Sequence, residues 1–194
     1  MTPESKGPAS AAELAEVAGL GDKAKELVRP DLPQPEYLQL LIENEELADA
    51  VRFLAHALPR REAVWWAWSC ARKVLGANPP SAVTDCLSAT EKWIVQPTDE
   101  NRRAAMQAAE RATFETPAGC AGLGAFLASG SLAPPDLPPN PPGEYMTARA
   151  VAGGIILATA VAEPQNAPEK YRAFLAQGIE LTRKIKLWDT PGKG

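Results

Sequence analysis

The chain has 194 residues, 45% of them hydrophobic, enough for one domain with a sizeable core and no need of a disulfide or metal staple. Its 24 acidic and 20 basic residues leave a formal charge of −4, without the basic surplus that a phosphate backbone demands, so no nucleic-acid partner is expected. Cys70, Cys86 and Cys120 show no CxxC spacing, and an odd count excludes a fully paired secreted framework; a reducing compartment fits.

Residues 1–9 read as a flexible leader, because polar and small residues alternate there without the charged-then-apolar order of a signal peptide. A cytoplasmic protein is the expectation. Residues 10–188 read as one helical domain and 189–194 as a flexible tail. Apolar residues recur at helical spacing nearly throughout, and alternating β-branched runs are almost absent, which predicts an all-α fold. Prolines punctuate it, since proline fits a first helical turn and breaks an interior. Helices are predicted near 10–19, 22–29, 35–43, 45–58, 60–76, 80–95, 99–113, 118–129, 144–162 and 167–187. Short connections suggest antiparallel helical hairpins in an irregular array or bundle.

The helix near 45–58 carries one clear buried stripe, Leu47, Ala50, Val51, Leu54, Ala55 and Leu58. At 100° per residue, His56 lies about half a turn from the centre of that stripe, beside Asp49 and Arg52. Two readings stay open. Asp49, Arg52, His56 and Glu62 could form a polar site, or His56 could be a structural residue hydrogen-bonded across the hairpin.

Pro59 opens the next helix, and Trp65, Trp66 and Trp68 extend its apolar arc almost all the way round, as expected of a helix enclosed by neighbours. Adjacent Trp65 and Trp66 cannot both serve one seam, so one of them is a candidate for a groove or a partner surface, with Arg60 and Arg61 beside it. Nucleophilic catalysis by a cysteine would need a histidine partner, for which His56 is the only candidate; a pairing with Cys70 stays open, and nothing local marks Cys70 as activated.

Thr98 or Asp99 could cap the helix near 99–113, whose buried stripe is small: Ala105, Ala108, Ala109 and Ala112. The glycines of TPAGCAGLGAF lack a preceding strand, so close helix contact or a helix start is expected rather than a dinucleotide site. Residues 131–143 hold too many prolines for a helix and predict an extended, polyproline-like crossing that sets the last two helices apart as a closing pair. The apolar run 150–162 is shorter than the roughly 20 residues that span a bilayer, so no membrane insertion is expected. In the final helix Tyr171, Phe174, Leu175, Leu181 and Ile185 supply the apolar face.

The segment FLAHALPRREAVWWAWSCAR, Phe53 to Arg72, resembles the signature of a family of uncharacterised bacterial proteins with a domain of unknown function. Trp68 departs from it, standing where a smaller residue is expected. The resemblance implies a helical bacterial protein without known catalytic residues, of a kind associated with larger envelope or secretion-type assemblies. It transfers no site.

Spacing implies no cofactor, metal site or catalytic residue. The expected function is that of a non-enzymatic adaptor or accessory protein, contacting another protein through Arg60, Arg61, Trp65 and Trp66. The alternative is a small-molecule sensor or enzyme with a tryptophan-lined pocket near His56, Glu62 and Cys70. A converging pocket at His56 would favour the alternative.

Overall fold

A computed structural model describes residues 10–161 and 163–188; the expected leader and tail lie outside them. Among the described residues there are ten α-helices and no strand, so the all-α expectation holds. The helices are α1 (Ala11–Val17), α2 (Asp22–Glu26), α3 (Gln34–Glu43), α4 (Leu47–Ala57), α5 (Arg60–Lys73), α6 (Ser81–Val95), α7 (Asp99–Ala112), α8 (Pro117–Leu127), α9 (Met146–Ala160) and α10 (Ala167–Lys184).

Local chemistry sets the boundaries. Ser10 and Glu13 form a capping box at α1, satisfying two of the amide groups a helix start leaves orphaned. Of the two candidate caps before α7, Thr98 takes the role, its hydroxyl accepting from the Asn101 amide. Asp99, in the first turn, instead pairs with Arg103 and Arg102, whose hydrogen bonds hold its carboxyl below the usual carboxylate range. Thr116 caps α8 through the Gly119 amide, with Pro117 in the first turn.

The stripe Leu47, Ala50, Val51, Leu54, Ala55 and Leu58 is buried as expected, but α4 is enclosed more widely: Phe53, Asp49 and His56 are buried too. Tyr37 of α3 meets Phe53 edge to face with ring centroids 4.9 Å apart, and its hydroxyl donates to the Ala24 carbonyl at 2.6 Å. Helix α9 packs against α8, α5 and α4, and α8 against α5, α6 and α7. Helix α9 is therefore central to the fold, and the expected closing pair is corrected: only α10 lies outside, on α4, α9 and α5.

Small residues permit these close approaches. A Cβ on Gly122 of α8 would stand 3.0 Å from the Ala105 carbonyl oxygen and from Cys86 Sγ. The four alanines of α7 are all buried. On α10, a Cβ on Gly178 would stand 2.7 Å from Leu54 Cδ2 and 2.8 Å from Trp66 Cε2, so the glycine is where α10 seats on α4 and α5.

Residues 131–143 are not the extended crossing their composition predicts. The Leu132 amide donates to the Asn140 carbonyl at 2.8 Å, Ser131 Oγ accepts from the Asn140 and Ala133 amides, and the Leu137 amide turns back onto Pro134. The segment closes into a compact loop because its few non-proline donors fall where they can pair across its base. Arg102, only 1% exposed, fixes the loop's start by donating to the carbonyls of Phe126 and Ser131, while its guanidinium lies over the Phe126 ring. Arg103 donates to the Ala133 carbonyl.

Candidate functional site

The motif PRRE opens α5, and two cations in a first turn oppose the positive end of their own helix dipole. Their guanidinium groups answer other helices. Arg60 donates to the carbonyl of Ala128, which caps the C-terminus of α8, at 3.0 Å, and to the Glu144 carbonyl at 3.1 Å. Arg61 donates through Nε to the Ile94 carbonyl at 2.6 Å, at the end of α6. Both side chains thus neutralise carbonyl groups at helix C-termini, and the α5 start becomes a junction for α6, α8 and the loop before α9.

The adjacent tryptophans divide as their 100° separation requires. Trp66 is fully buried, its Nε1 donating to the Phe174 carbonyl at 2.8 Å, whereas Trp65 is half-buried against the core. Trp68 is buried and donates to the Leu87 carbonyl.

His56 lies at the other side of the same junction. It is 9% exposed, and its Nδ1 is 2.8 Å from the Arg52 carbonyl oxygen. A carbonyl only accepts, so Nδ1 carries the proton and the neutral ring keeps its lone pair at the buried Nε2. Burial lowers the His56 pKa from its usual value and the charge of Arg149 acts in the same direction, against the Arg52 carbonyl, which raises it. Asp49 does not join it: its carboxylate pairs with Arg52 at 2.6 Å and accepts from the Gly21 amide, an internal tie between α4 and the start of α2. Glu62 is half-buried and does not line the cleft beside His56.

That cleft holds about 220 Å³. Ala55, Leu58, Pro59, Ala63 and Ala148 form apolar walls; His56, Arg60, Glu144, Tyr145 and Thr147 are its polar-bearing residues. The Tyr145 ring leans over His56 with centroids 5.6 Å apart at 34°. Thr147 is 1% exposed, and its hydroxyl and the Nε2 atom of His56 are both buried without a hydrogen-bond partner among the described residues. Two such atoms on residues that line one cleft are unusual, because buried polar atoms are nearly always paired.

A match to the model of a family of unknown function, DUF6931, spans residues 37–182. The chain belongs to this family. The DUF6931 segment takes in α4 to α9 and with them every residue of the cleft, while α1 and α2 precede it. No curated protein and no solved structure matches the chain.

Within the DUF6931 region, the structure brings His56 and Arg60 to one cleft and leaves Arg61, Glu62, Trp65 and Trp66 outside it. Thr147, Tyr145 and Glu144 were not legible as partners of His56, lying some ninety residues away at the start of a helix with an ordinary apolar pattern. No tryptophan lines the cleft; its aromatic wall is Tyr145. Cys70 is buried with its thiol pushed up to about 12, which removes the thiolate that nucleophilic attack requires at neutral pH. No described group of three His, Cys, Asp or Glu residues could hold a metal ion. No described helix is long and apolar enough to cross a membrane.

Proposed function

We propose that this chain is a non-enzymatic adaptor, a cytoplasmic accessory protein of a bacterial assembly, and that it receives one side chain of a partner protein in the cleft beside His56. The observation that carries the reading is the pair of buried, unpartnered polar atoms, His56 Nε2 and Thr147 Oγ1, on two residues that line one cleft. A buried polar group without a partner costs about 1–3 kcal/mol, so a chain that keeps two at one opening gains when something binds there.

Size and chemistry support an inserted side chain. The 220 Å³ lies below the roughly 300–1,000 Å³ of pockets that enclose a drug-sized molecule. Protein interfaces commonly draw most of their binding energy from a few anchoring side chains seated in well-packed pockets near the centre. Catalysis through Cys70 gains no support from the same site, since Cys70 lies outside the cleft. The Arg60, Arg61, Trp65 and Trp66 face is a weaker candidate than its composition suggests, because both guanidinium groups and Trp66 Nε1 are already engaged within the fold.

The test is affinity purification of the tagged full chain from its host, alongside Ala148→Leu, which narrows the cleft with a residue that suits a helix. A defined partner captured by wild type, rebound when purified, and lost from a variant that melts at the same temperature supports the adaptor. A partner held equally by both proteins places the interface elsewhere, and no partner in either sinks the adaptor reading.

A further inference from the structure

We infer that the group the cleft accepts is an uncharged carboxamide, as on an asparagine or glutamine side chain, bound between His56 and Thr147. This rests on the reading of the cleft as a binding site and adds what that site selects.

The two unpartnered atoms differ in what they can take. His56 Nε2 is an acceptor, because Nδ1 keeps its proton on the Arg52 carbonyl. It needs a donor. The Thr147 hydroxyl can donate as well as accept, and it has no partner among the described residues. The two do not satisfy each other, although both line the cleft. A ligand group that gives a hydrogen to Nε2 and takes one from the Thr147 hydroxyl satisfies both. A carboxylate has no hydrogen for Nε2 and would set its charge against a lone pair. An ammonium could only donate, and would carry an uncompensated charge to two buried atoms. A carboxamide carries donor and acceptor on neighbouring atoms of one rigid plane, and a flat group suits the space beside the Tyr145 and His56 rings.

The charge around the opening agrees. Arg60 and Glu144 both line the cleft, and Arg149 is near enough to act on His56. Positive and negative groups at one small mouth favour neither sign of ligand, while apolar walls of Ala55, Leu58, Pro59, Ala63 and Ala148 suit a short aliphatic stem.

The experiment is an NMR titration of the isotope-labelled full chain with isobutyramide, isobutyrate, isobutanol and isobutylamine, four probes that share a stem and differ in the polar head. Isobutyramide is expected to shift the His56 ring and Thr147 signals, and to bind at least tenfold more tightly than the other three. Thr147→Val, which keeps the shape and removes the hydroxyl, is expected to weaken isobutyramide about fivefold to tenfold while leaving the fold intact. If the alcohol, the acid or the amine binds as well as the amide, the carboxamide assignment is overturned and the cleft stands as a site. If no probe moves the cleft signals of a folded protein, the carboxamide assignment and the reading of the cleft as a binding site both fall.

Discussion

The Arg60 guanidinium reaches the carbonyl of Ala128, 68 residues further along the chain, at 3.0 Å. That bond joins the start of α5 to the end of α8, and with the second bond to Glu144 it holds the loop that forms the far wall of the His56 cleft. A side chain that looks available on a helical wheel is a structural tie, and what it positions is the candidate site.

Replacing both arginines tests this. Arg60→Ala with Arg61→Ala should lower stability by about 1–2 kcal/mol in a urea melt, since cations at partly exposed helix C-termini contribute about 0.3–1 kcal/mol each and Arg60 bridges two segments. Partner capture, where it weakens, should weaken together with stability. A clean binding loss at unchanged stability would return the guanidinium groups to the interface.

The tryptophan pair gives a second contrast. Trp66→Ala removes a fully buried indole and its bond to the Phe174 carbonyl, and should cost about 3–5 kcal/mol. Trp65 is half-buried, and its truncation should cost less than half as much. Equal losses in thermal or chemical melts would contradict the assignment of Trp66 alone to the core.

What was legible in the sequence is what repeats at helical period. The α4 stripe and the four alanines of α7 are set by several residues at once, so one exception does not erase the pattern. His56 is the instructive exception: half a turn from the stripe centre reads as outside, but α4 has further neighbours in α3, α9 and α10, so its second face is buried too. Arg102 was illegible for a similar reason, because a charged residue reads as surface until the carbonyl groups of Phe126 and Ser131 are brought to it. Arg60 and Arg61 did carry a signal, since cations in a first turn oppose their own helix and imply acceptors on another. Which carbonyl groups accept them depends on tertiary contacts that no local pattern contains.

Two glycine substitutions should move stability in opposite directions. Gly178→Ala places a Cβ 2.7 Å from Leu54 Cδ2 and 2.8 Å from Trp66 Cε2, and overpacking of about 1–3 kcal/mol should outweigh the roughly 1 kcal/mol gained in helix propensity. Gly153→Ala on the exposed side of α9 meets nothing within 4 Å, so only the propensity remains, about 0.5–1 kcal/mol in favour of the variant. Urea melts of the two variants beside wild type check both signs; a stabilised Gly178→Ala would mean that α10 is not seated on Trp66.

The last expectation concerns pH, and the sequence makes it clean because His56 is the only histidine. Burial lowers its pKa in the folded chain from the usual 6.5, so between the lowered value and 6.5 the unfolded chain holds more protons than the folded one. Stability therefore rises with pH through that window. The contribution is complete above 6.5, is lost as pH falls through 6.5 toward the folded value, and changes no further below it. Asp99 works in a separate range: its carboxyl is held low by Arg103 and Arg102, so its contribution is present above its usual 3.8 and is lost only in stronger acid. Urea melts across pH 5 to 8 should show the His56 slope in wild type and a flat line in His56→Phe. A slope that survives the substitution would assign the proton to another group and remove the ground for a neutral, accepting His56 in the cleft.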